Sequence, residues 1–292
     1  MSAEPSDMGR SESVGPAKRE ANPESKREPK PEPKPAPKSE PPEGLAWLRG
    51  RPTARPGLLL RTLVAVGSFV ARRVCDLRWH VEGADNLPKT GGYIAACAIH
   101  RNWIDAPLLV ALLPQEPRIW YLGSGVAAFR SRWVEWLLRR IGGILPVYRG
   151  GLDIDVHVDA AAAVIGAGAV FGIFPEGSRR GEAAAPEAFR RGVGLVGLRT
   201  GATIVPMALA GTIELYRGRR IALGILPPTT ALALAGVETP LEPDTPAEHA
   251  AARTATRALE ALLAPHIAEL AAACADPPQT PRRWRWMTTL FK

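Results

Sequence analysis

The sequence predicts an α/β fold with a mainly parallel central sheet flanked by helices, and three observations support this class. Short apolar runs of strand length recur between residues 78 and 225. Helical patterns, with apolar residues every three or four positions, separate most of these runs. Strands that alternate with helices need crossover connections, which favour parallel pairing. The 292 residues, of which 46% are hydrophobic, suffice for one sizeable domain with appendages.

Residues 1–45 form a first segment that is rich in Pro, Glu, Lys and Ser. It has too little apolar surface to offset the entropy of an ordered chain, so we expect a disordered, partly polyproline-like tail. A Pro-rich docking motif is the alternative. These residues carry eight basic and nine acidic side chains, so the net charge of +8 for the whole chain leaves +9 on the remainder. A basic folded part favours an anionic partner, such as phosphorylated lipid, a membrane surface or nucleic acid.

Residues 46–77 form a second segment, predicted as an N-terminal interfacial helical region. Its apolar run, residues 58–71, contains Arg61 and is shorter than the roughly 18 apolar residues that cross a bilayer. Further arginines bracket the run at positions 51, 55, 72 and 73. We interpret it as an amphipathic or interfacial helix whose arginines meet lipid phosphates. A helix packed on the domain core is the alternative.

The predicted sheet lies in a domain that we place at residues 78–275. Its strands are expected at residues 78–82, 91–98, 118–122, 142–149, 169–174, 202–209 and 220–225. Helices are expected between them at residues 102–113, 126–140 and 156–167, and from about residue 189 to residue 200. The helix at 126–140 carries aromatic side chains at helical spacing, which favours a core position. Because arginines accompany them, a membrane-facing surface is the alternative.

A last helix begins at the capping box Thr245-Pro246-Ala247-Glu248 and runs toward Cys274. We expect an interruption near Pro265, because proline removes a helical hydrogen bond and clashes with the preceding turn. Residues 276–292 form a basic-aromatic C-terminal tail of interfacial composition. Nucleic acid is an alternative partner for such a tail, but no nucleic-acid-binding motif accompanies it.

Cysteine and histidine usage narrows the function classes. The three cysteines are widely spaced and predict neither a disulfide framework nor a metal knuckle, so we expect a reducing compartment. The five histidines are scattered, which argues against a metal enzyme. Residues 1–45 lack the apolar core of a secretory signal, so none is expected.

A histidine and an aspartate, His100 and Asp105, stand where the strand at 91–98 gives way to a helix. A base oriented by a carboxylate can remove a proton from a hydroxyl. Five helical steps turn a side chain by about 140°, so the pair can meet only if His100 lies on the loop and Asp105 in the first helical turn. The same spacing joins His80 to Asp85, so spacing alone does not identify a site. His80 ends an extended run before a turn, and we interpret that copy as structural.

Two arginines further along suit a phosphate, because guanidinium groups are planar and permanently charged. Arg149 ends a strand in a Gly-rich stretch, and Arg179 ends the sequence Phe-Pro-Glu-Gly-Ser-Arg after a buried strand. In that sequence, Gly177 lets the backbone approach a ligand closely. Glu176 either orients the arginines, binds an acceptor hydroxyl or forms a structural ion pair.

Four blocks in this order resemble the glycerophospholipid acyltransferase family, whose PlsC-like members acylate lysophosphatidate and related acceptors. The family's His-x4-Asp block is similar to His100 and Asp105. The other blocks are similar to residues 143–149, 174–179 and 205–206. The resemblance covers about residues 78–230 and is most specific at 174–179. Where the family usually has asparagine before the motif histidine, this chain has Ile99.

The resemblance implies an enzyme in which His100 deprotonates an acceptor hydroxyl and Asp105 orients the imidazole. The hydroxyl would attack the thioester carbonyl of acyl-CoA or acyl carrier protein. The resemblance assigns substrate and phosphate binding to Arg149, Glu176, Gly177, Ser178 and Arg179, and it implies no cofactor or metal. The expected reaction converts a lysophospholipid, first 1-acyl-glycerol-3-phosphate, to phosphatidate. The expected location is peripheral, on the anionic cytoplasmic side of a membrane.

Other functions stay open at the level of sequence. The acceptor could be another lysolipid or a glycolipid, or water could replace it in thioester hydrolysis. A catalytically silent membrane scaffold would use the Pro-rich tail and the basic-aromatic end to hold partners. A serine hydrolase would need Gly-x-Ser-x-Gly, and Leu122 occupies the first glycine position before Ser124. A nucleic-acid binder explains the charge but not the four blocks.

Overall fold

The computed structural model describes residues 52–124, 136, 141, 143–147, 154–177, 188–277 and 279–289. Its strands are β1 (Arg78–Glu82), β2 (Tyr93–Ala98), β3 (Ile119–Ser124), β4 (Ile144–Val147), β5 (Val170–Ile173), β6 (Thr203–Ala210), β7 (Arg220–Ile225) and β8 (Thr229–Thr230). Its helices are α1 (Leu58–Phe69), α2 (Asp105–Leu112), α3 (Ile154–Gly166), α4 (Gly192–Thr200), α5 (Ala231–Ala235) and α6 (Pro246–Ala273). The expected tail at residues 1–45 and nearly all of the helix expected at 126–140 lie outside the described residues.

The strands form an eight-stranded sheet in the order β1-β7-β6-β2-β5-β3-β4, with β8 beside β6. Strand β6 pairs antiparallel with β7 and β8, and the other neighbouring pairs are parallel. The predicted α/β class with a mainly parallel sheet is therefore confirmed. Strands β1 and β7 match the predicted bounds, and the other predicted strands differ from the observed ones by a few residues at their ends.

The core lies on both faces of the sheet, and β2 shows why. All six of its side chains are buried. Ile94, Ala96 and Ala98 join one apolar cluster with side chains from α3, α4 and α6. The alternate side chains of β2 join a second cluster with Leu108 and Leu109 of α2. Strands covered on both faces read as continuous apolar runs, which is how β2 was recognisable in the sequence.

Helix α1 lies on the surface of the described chain, and none of its side chains is buried. It continues into a π-helical turn at Val70–Val74. Apolar side chains along both elements face solvent, including Leu58, Val66 and Phe69. Among the described residues, no helix is long and apolar enough to span a bilayer.

Helix α6 shows that the expected interruption at Pro265 was wrong, because the helix runs unbroken from Pro246 to Ala273 with Pro265 inside it. Buried side chains on both sides of the proline, Leu263 and Ile267, anchor both halves in the same core. That shared burial outweighs the lost hydrogen bond, which costs about 3 kcal/mol. The helix start follows the capping prediction, since the Thr245 hydroxyl accepts the Glu248 N–H at 3.2 Å.

Candidate active site

The turn after β2 brings the first motif to the carboxyl edge of the sheet. Strand β2 ends at Ala98, and α2 begins at Asp105, so His100 lies on the turn between them. Strand β5 pairs parallel with β2, with Ala96 opposite Ile173, and its chain then continues into residues 174–177. Parallel neighbours present their carboxyl ends at the same edge. Two blocks more than 70 positions apart in the sequence therefore meet.

His100 and Asp105 form a hydrogen-bonded pair. The His100 Nδ1 lies 3.0 Å from the Asp105 Oδ2. The same carboxylate oxygen accepts the backbone N–H groups of Arg101 at 2.8 Å and Asn102 at 2.7 Å. Asp105 is fully buried, whereas the His100 side chain is 18% exposed. A carboxylate accepts the Nδ1 proton, so the imidazole can present an unprotonated Nε2 away from Asp105.

The imidazole is also held by an aromatic ring. Phe174 stacks on His100 with ring centroids 4.0 Å apart and planes 14° from parallel. Phe174 in turn stacks with Tyr121 of β3 at 5.8 Å. Burial raises the pKa of the Tyr121 phenol well above its ordinary value, so Tyr121 is neutral and packs as an aromatic side chain. The two rings fix the orientation of the imidazole plane.

Glu176 lies beneath the same turn and pairs with Arg101. The Arg101 Nη1 contacts the Glu176 Oε2, and both side chains are almost wholly buried. The His100 N–H donates to the Glu176 Oε1 at 3.1 Å. Of the three readings of Glu176, the described contacts place it in an ion pair that also holds the histidine backbone. Sequence reasoning did not single out Arg101, although an arginine beside the motif histidine after an apolar strand was the available signal.

Gly177 occupies a position that excludes a side chain. Its φ is +73°, and a Cβ there would lie 2.5 Å from the Cδ of Arg190. The Gly177 N–H donates to the Phe174 carbonyl at 2.9 Å, and the Arg190 N–H donates to the Pro175 carbonyl at 2.8 Å. The glycine therefore permits a tight turn with Arg190 packed directly over it. The other expected substrate-binding residues, Arg149, Ser178 and Arg179, lie outside the described residues.

The second His-x4-Asp copy has a different setting. His80 is exposed on β1 at the edge of the sheet, and Asp85 is exposed in a short 3-10 turn, Ala84–Asn86. No hydrogen bond joins these two side chains, both of which are described. The structure thus pairs the His100 copy and separates the His80 copy.

Residues around the motif tie the turn to the body of the domain. The Asn102 Nδ2 donates to the Thr212 carbonyl at 2.9 Å, and both side chains are buried. Ile99, where the family that the sequence resembles usually has asparagine, is buried in the apolar core and so directs no polar side chain at the imidazole. The Trp103 Nε1 donates to the Met287 carbonyl at 3.0 Å. These anchors were not predicted, because their partners lie more than 100 positions away in the sequence.

An apolar cavity of about 640 Å³ lies beside the turn. Its walls come from α1, the π-helical turn, α2, β3 and residues 286–287. Trp103 and Ile104 of the motif turn also line it, as does Tyr121. His100 is not among the described lining residues, but the Phe174 ring contacts both His100 and Tyr121, so the cavity and the imidazole are neighbours. Within the described ranges, no cluster of His, Cys, Asp or Glu could hold a metal ion.

Comparisons with known proteins agree with this architecture. The family described as Acyltransferase matches residues 78–210, which span β1 to β6 and the whole motif turn. Among solved structures, the chain is similar to the 1-acyl-sn-glycerophosphate (LPA) acyltransferase PlsC from Thermotoga maritima. The identity is 19%, the match covers 75% of this chain and 82% of the other, and the TM-score is 0.54. A search of curated protein sequences gives no match. Residues 78–210 of this chain therefore form an acyltransferase domain, and the chain shares the fold of PlsC.

Proposed function

We propose that this enzyme moves a fatty acyl group from acyl-CoA or acyl carrier protein to the hydroxyl of a lysophospholipid, with 1-acyl-glycerol-3-phosphate as the first acceptor to test. The observation that carries the proposal is the His100 imidazole, which is part exposed and bonded through Nδ1 to the buried Asp105. A base with this arrangement can act on a hydroxyl that the substrate supplies.

The reaction needs one base and no covalent acyl-enzyme. His100 Nε2 takes the acceptor proton as the hydroxyl oxygen attacks the thioester carbonyl. The tetrahedral intermediate then collapses, the carbon–sulfur bond breaks, and the imidazolium returns the proton to the leaving thiolate. Asp105 stabilises the imidazolium that exists between the two transfers. General base catalysis of this kind contributes about 10²–10⁴-fold in rate.

The apolar cavity is the proposed site for the acyl chain of the donor. The described lining is almost wholly aliphatic or aromatic, and its volume lies in the usual range for ligand pockets. Trp103 and Ile104, which lie between His100 and Asp105 in the sequence, form part of the cavity wall. A chain bound there would leave its thioester near His100. Arg149 and Arg179 remain the residues proposed from sequence to hold the acceptor phosphate.

A peripheral position on the anionic, cytoplasmic side of a membrane would bring the site to its lysophospholipid acceptor. Support comes from the exposed apolar side chains of α1, among them Val66 and Phe69, and from the arginines at positions 61, 72 and 73. Flotation with phosphatidylglycerol vesicles tests this. We expect Phe69→Glu to weaken binding about 10-fold, since a buried aromatic side chain contributes about 1.5–3 kcal/mol. Leu262→Glu, at another exposed apolar position, on α6, should bind like the wild type.

The decisive experiment supplies purified protein with isotope-labelled acyl-CoA or acyl carrier protein and a panel of lysolipids, and follows the products by mass spectrometry. Labelled phosphatidate from lysophosphatidate, lost in His100→Ala, supports the proposal. Labelled product from a different lysolipid or from a glycolipid would identify that lipid as the acceptor. Free fatty acid without transfer would indicate thioester hydrolysis. Vesicle binding with neither reaction would favour a silent scaffold.

A further inference from the structure

The C-terminal segment, residues 282–289, lies outside the part of the chain that matches the acyltransferase family. Its composition suggested a tail, yet it contains a 3-10 turn at Arg285–Thr289. The side chain of Met287 is buried in the apolar core, whereas Trp286 is 57% exposed. Both residues line the cavity beside the catalytic turn. The segment therefore forms a part of the cavity wall that residues 78–210 do not supply.

The segment is fixed to the loop that follows β6. The Thr288 hydroxyl accepts the Leu215 N–H at 2.8 Å and donates to the Leu215 carbonyl at 3.1 Å. Earlier in the same segment, Arg282 and Arg285 both pair with Glu214, with N–O distances of 2.5 and 2.7 Å. Paired hydrogen bonds and two arginines on one carboxylate give the segment a defined place.

The same loop and segment reach the catalytic turn. Trp103, inside the His-x4-Asp motif, donates to the Met287 carbonyl, and Asn102 donates to the Thr212 carbonyl. Hydrogen bonds therefore join three parts of the chain to one another: the turn with His100 and Asp105, the loop at 212–217 and the C-terminal segment. The position of the Met287 side chain in the cavity is set relative to the imidazole and not only relative to the surface.

We propose that the C-terminal segment determines which acyl chains the enzyme accepts, with Met287 limiting the depth of the cavity and Trp286 covering its rim. This inference rests on the proposed function, because it takes the donor acyl chain as the occupant of the cavity. Methionine is flexible and fills irregular apolar space, so its side chain sets the room available without closing the cavity. Truncating it adds space for methylene groups, and enlarging it removes that space.

The test is a series of acyl-CoA donors from medium to long chain, with one acceptor held constant. Met287→Ala should raise kcat/KM for the longest donors, relative to the donor preferred by the wild type, by about 10-fold. Met287→Trp should lower the same ratio by a similar factor. Trp286→Ala changes an exposed side chain and should shift the profile with little effect on folding. Trp284→Ala is the matched control, because Trp284 lies on the same segment but not in the described cavity lining.

Chain-length profiles that stay unchanged in Met287→Ala, Met287→Trp and Trp286→Ala would overturn the inference, as would an equal shift in Trp284→Ala. A second series varies the acceptor chain with the donor constant. A shift confined to that series would place the acceptor in the cavity and would also overturn the inference as stated.

Binding of a fluorescent polyene fatty acid separates this inference from the proposed reaction. Weaker binding in Met287→Trp, without transfer activity in the wild type, would retain the acyl cavity and reject the acyl-transfer proposal. Equal binding of the fatty acid by the wild type and Met287→Trp, with acyl transfer intact, would show that Met287 does not limit the cavity. The proposed reaction would then stand without this inference.

Discussion

One oxygen of Asp105, Oδ2, takes three hydrogen bonds from the turn that it orients: His100 Nδ1 at 3.0 Å and the backbone N–H groups of Arg101 and Asn102. The carboxylate therefore holds the loop and the imidazole together. Asp105 thus sets both the position of the imidazole, which is the proposed base, and the nitrogen on which its proton lies.

Asp105→Asn should lower kcat by about 10³–10⁴-fold, the loss typical when a triad carboxylate becomes an amide. The amide nitrogen can donate to Nδ1, which would leave the proton on Nε2, where the base must be free. Initial rates of acyl transfer measure the loss, and circular dichroism with thermal melting controls for folding. His80→Ala should retain most of the activity. A rate loss in His80→Ala equal to that in Asp105→Asn, with both variants folded, would contradict the assignment.

Much of this site was readable from the sequence because it depends on local order. The apolar run of β2 ends shortly before His100, and Asp105 opens the next helix, so the pair needed only the turn between them. The approach of Glu176 depends on parallel pairing of β2 with β5, and the sequence did not specify that these two strands are neighbours. The readable features come from hydrophobic periodicity and from the order of strand, turn and helix.

The parts that sequence did not reveal depend on long-range burial. The sequence yields no prediction for Arg101, and only the folded chain places it against Glu176 in the interior. The composition of the C-terminal segment predicts an interfacial tail, because tryptophans and arginines dominate it. Nothing in that composition indicates that Met287 is buried. Pro265 reads as a helix break, since the core that holds both halves of α6 together is assembled from distant strands.

The Arg101–Glu176 pair should be costly to break from one side. Glu176→Leu or Arg101→Met removes the oppositely charged side chain beside a buried charge, and we expect each to lower the free energy of unfolding by about 3–5 kcal/mol. The double variant should recover part of that loss, which chemical denaturation of all four proteins would measure as a coupling energy. Arg78→Met, at the exposed Arg78–Asp76 pair, should change stability far less. Additive losses in the double variant would show that the two side chains do not depend on each other.

Removal of residues 1–40 should leave acyl transfer intact. The described turn with His100 and Asp105, its partner strands and the cavity walls all lie within residues 52–289, and the Pro-rich composition of the removed part offers little apolar surface to the core. Rates and melting temperatures of the truncated and full chains provide the comparison. A truncated protein that melts normally but has lost activity would refute the prediction and assign the tail a part in catalysis.

A network around Arg199 should make part of the stability depend on pH. Arg199 donates to Glu248 at 2.8 Å and also contacts Asp155 and Asp244, so it joins α3, α4 and the start of α6. Its hydrogen bond lowers the pKa of Glu248 below the ordinary 4.5, against the opposing effect of burial. The folded state therefore holds the Glu248 proton less tightly than the unfolded state does. The stabilisation by the Glu248 carboxylate is present at pH values above its pKa in the unfolded chain. It is lost as the pH falls through its lower pKa in the folded chain.

Glu248→Gln should accordingly destabilise the protein at neutral pH, and its difference from the wild type should shrink as pH falls below about 4.5. Urea denaturation of both proteins between neutral and acidic pH measures that difference. Glu238→Gln, at an exposed position, is the control and should follow the wild type throughout. A difference for Glu248→Gln that stays constant as the solution is acidified would mean that the charge of Glu248 contributes nothing, and that only the shape of its side chain matters where α6 begins.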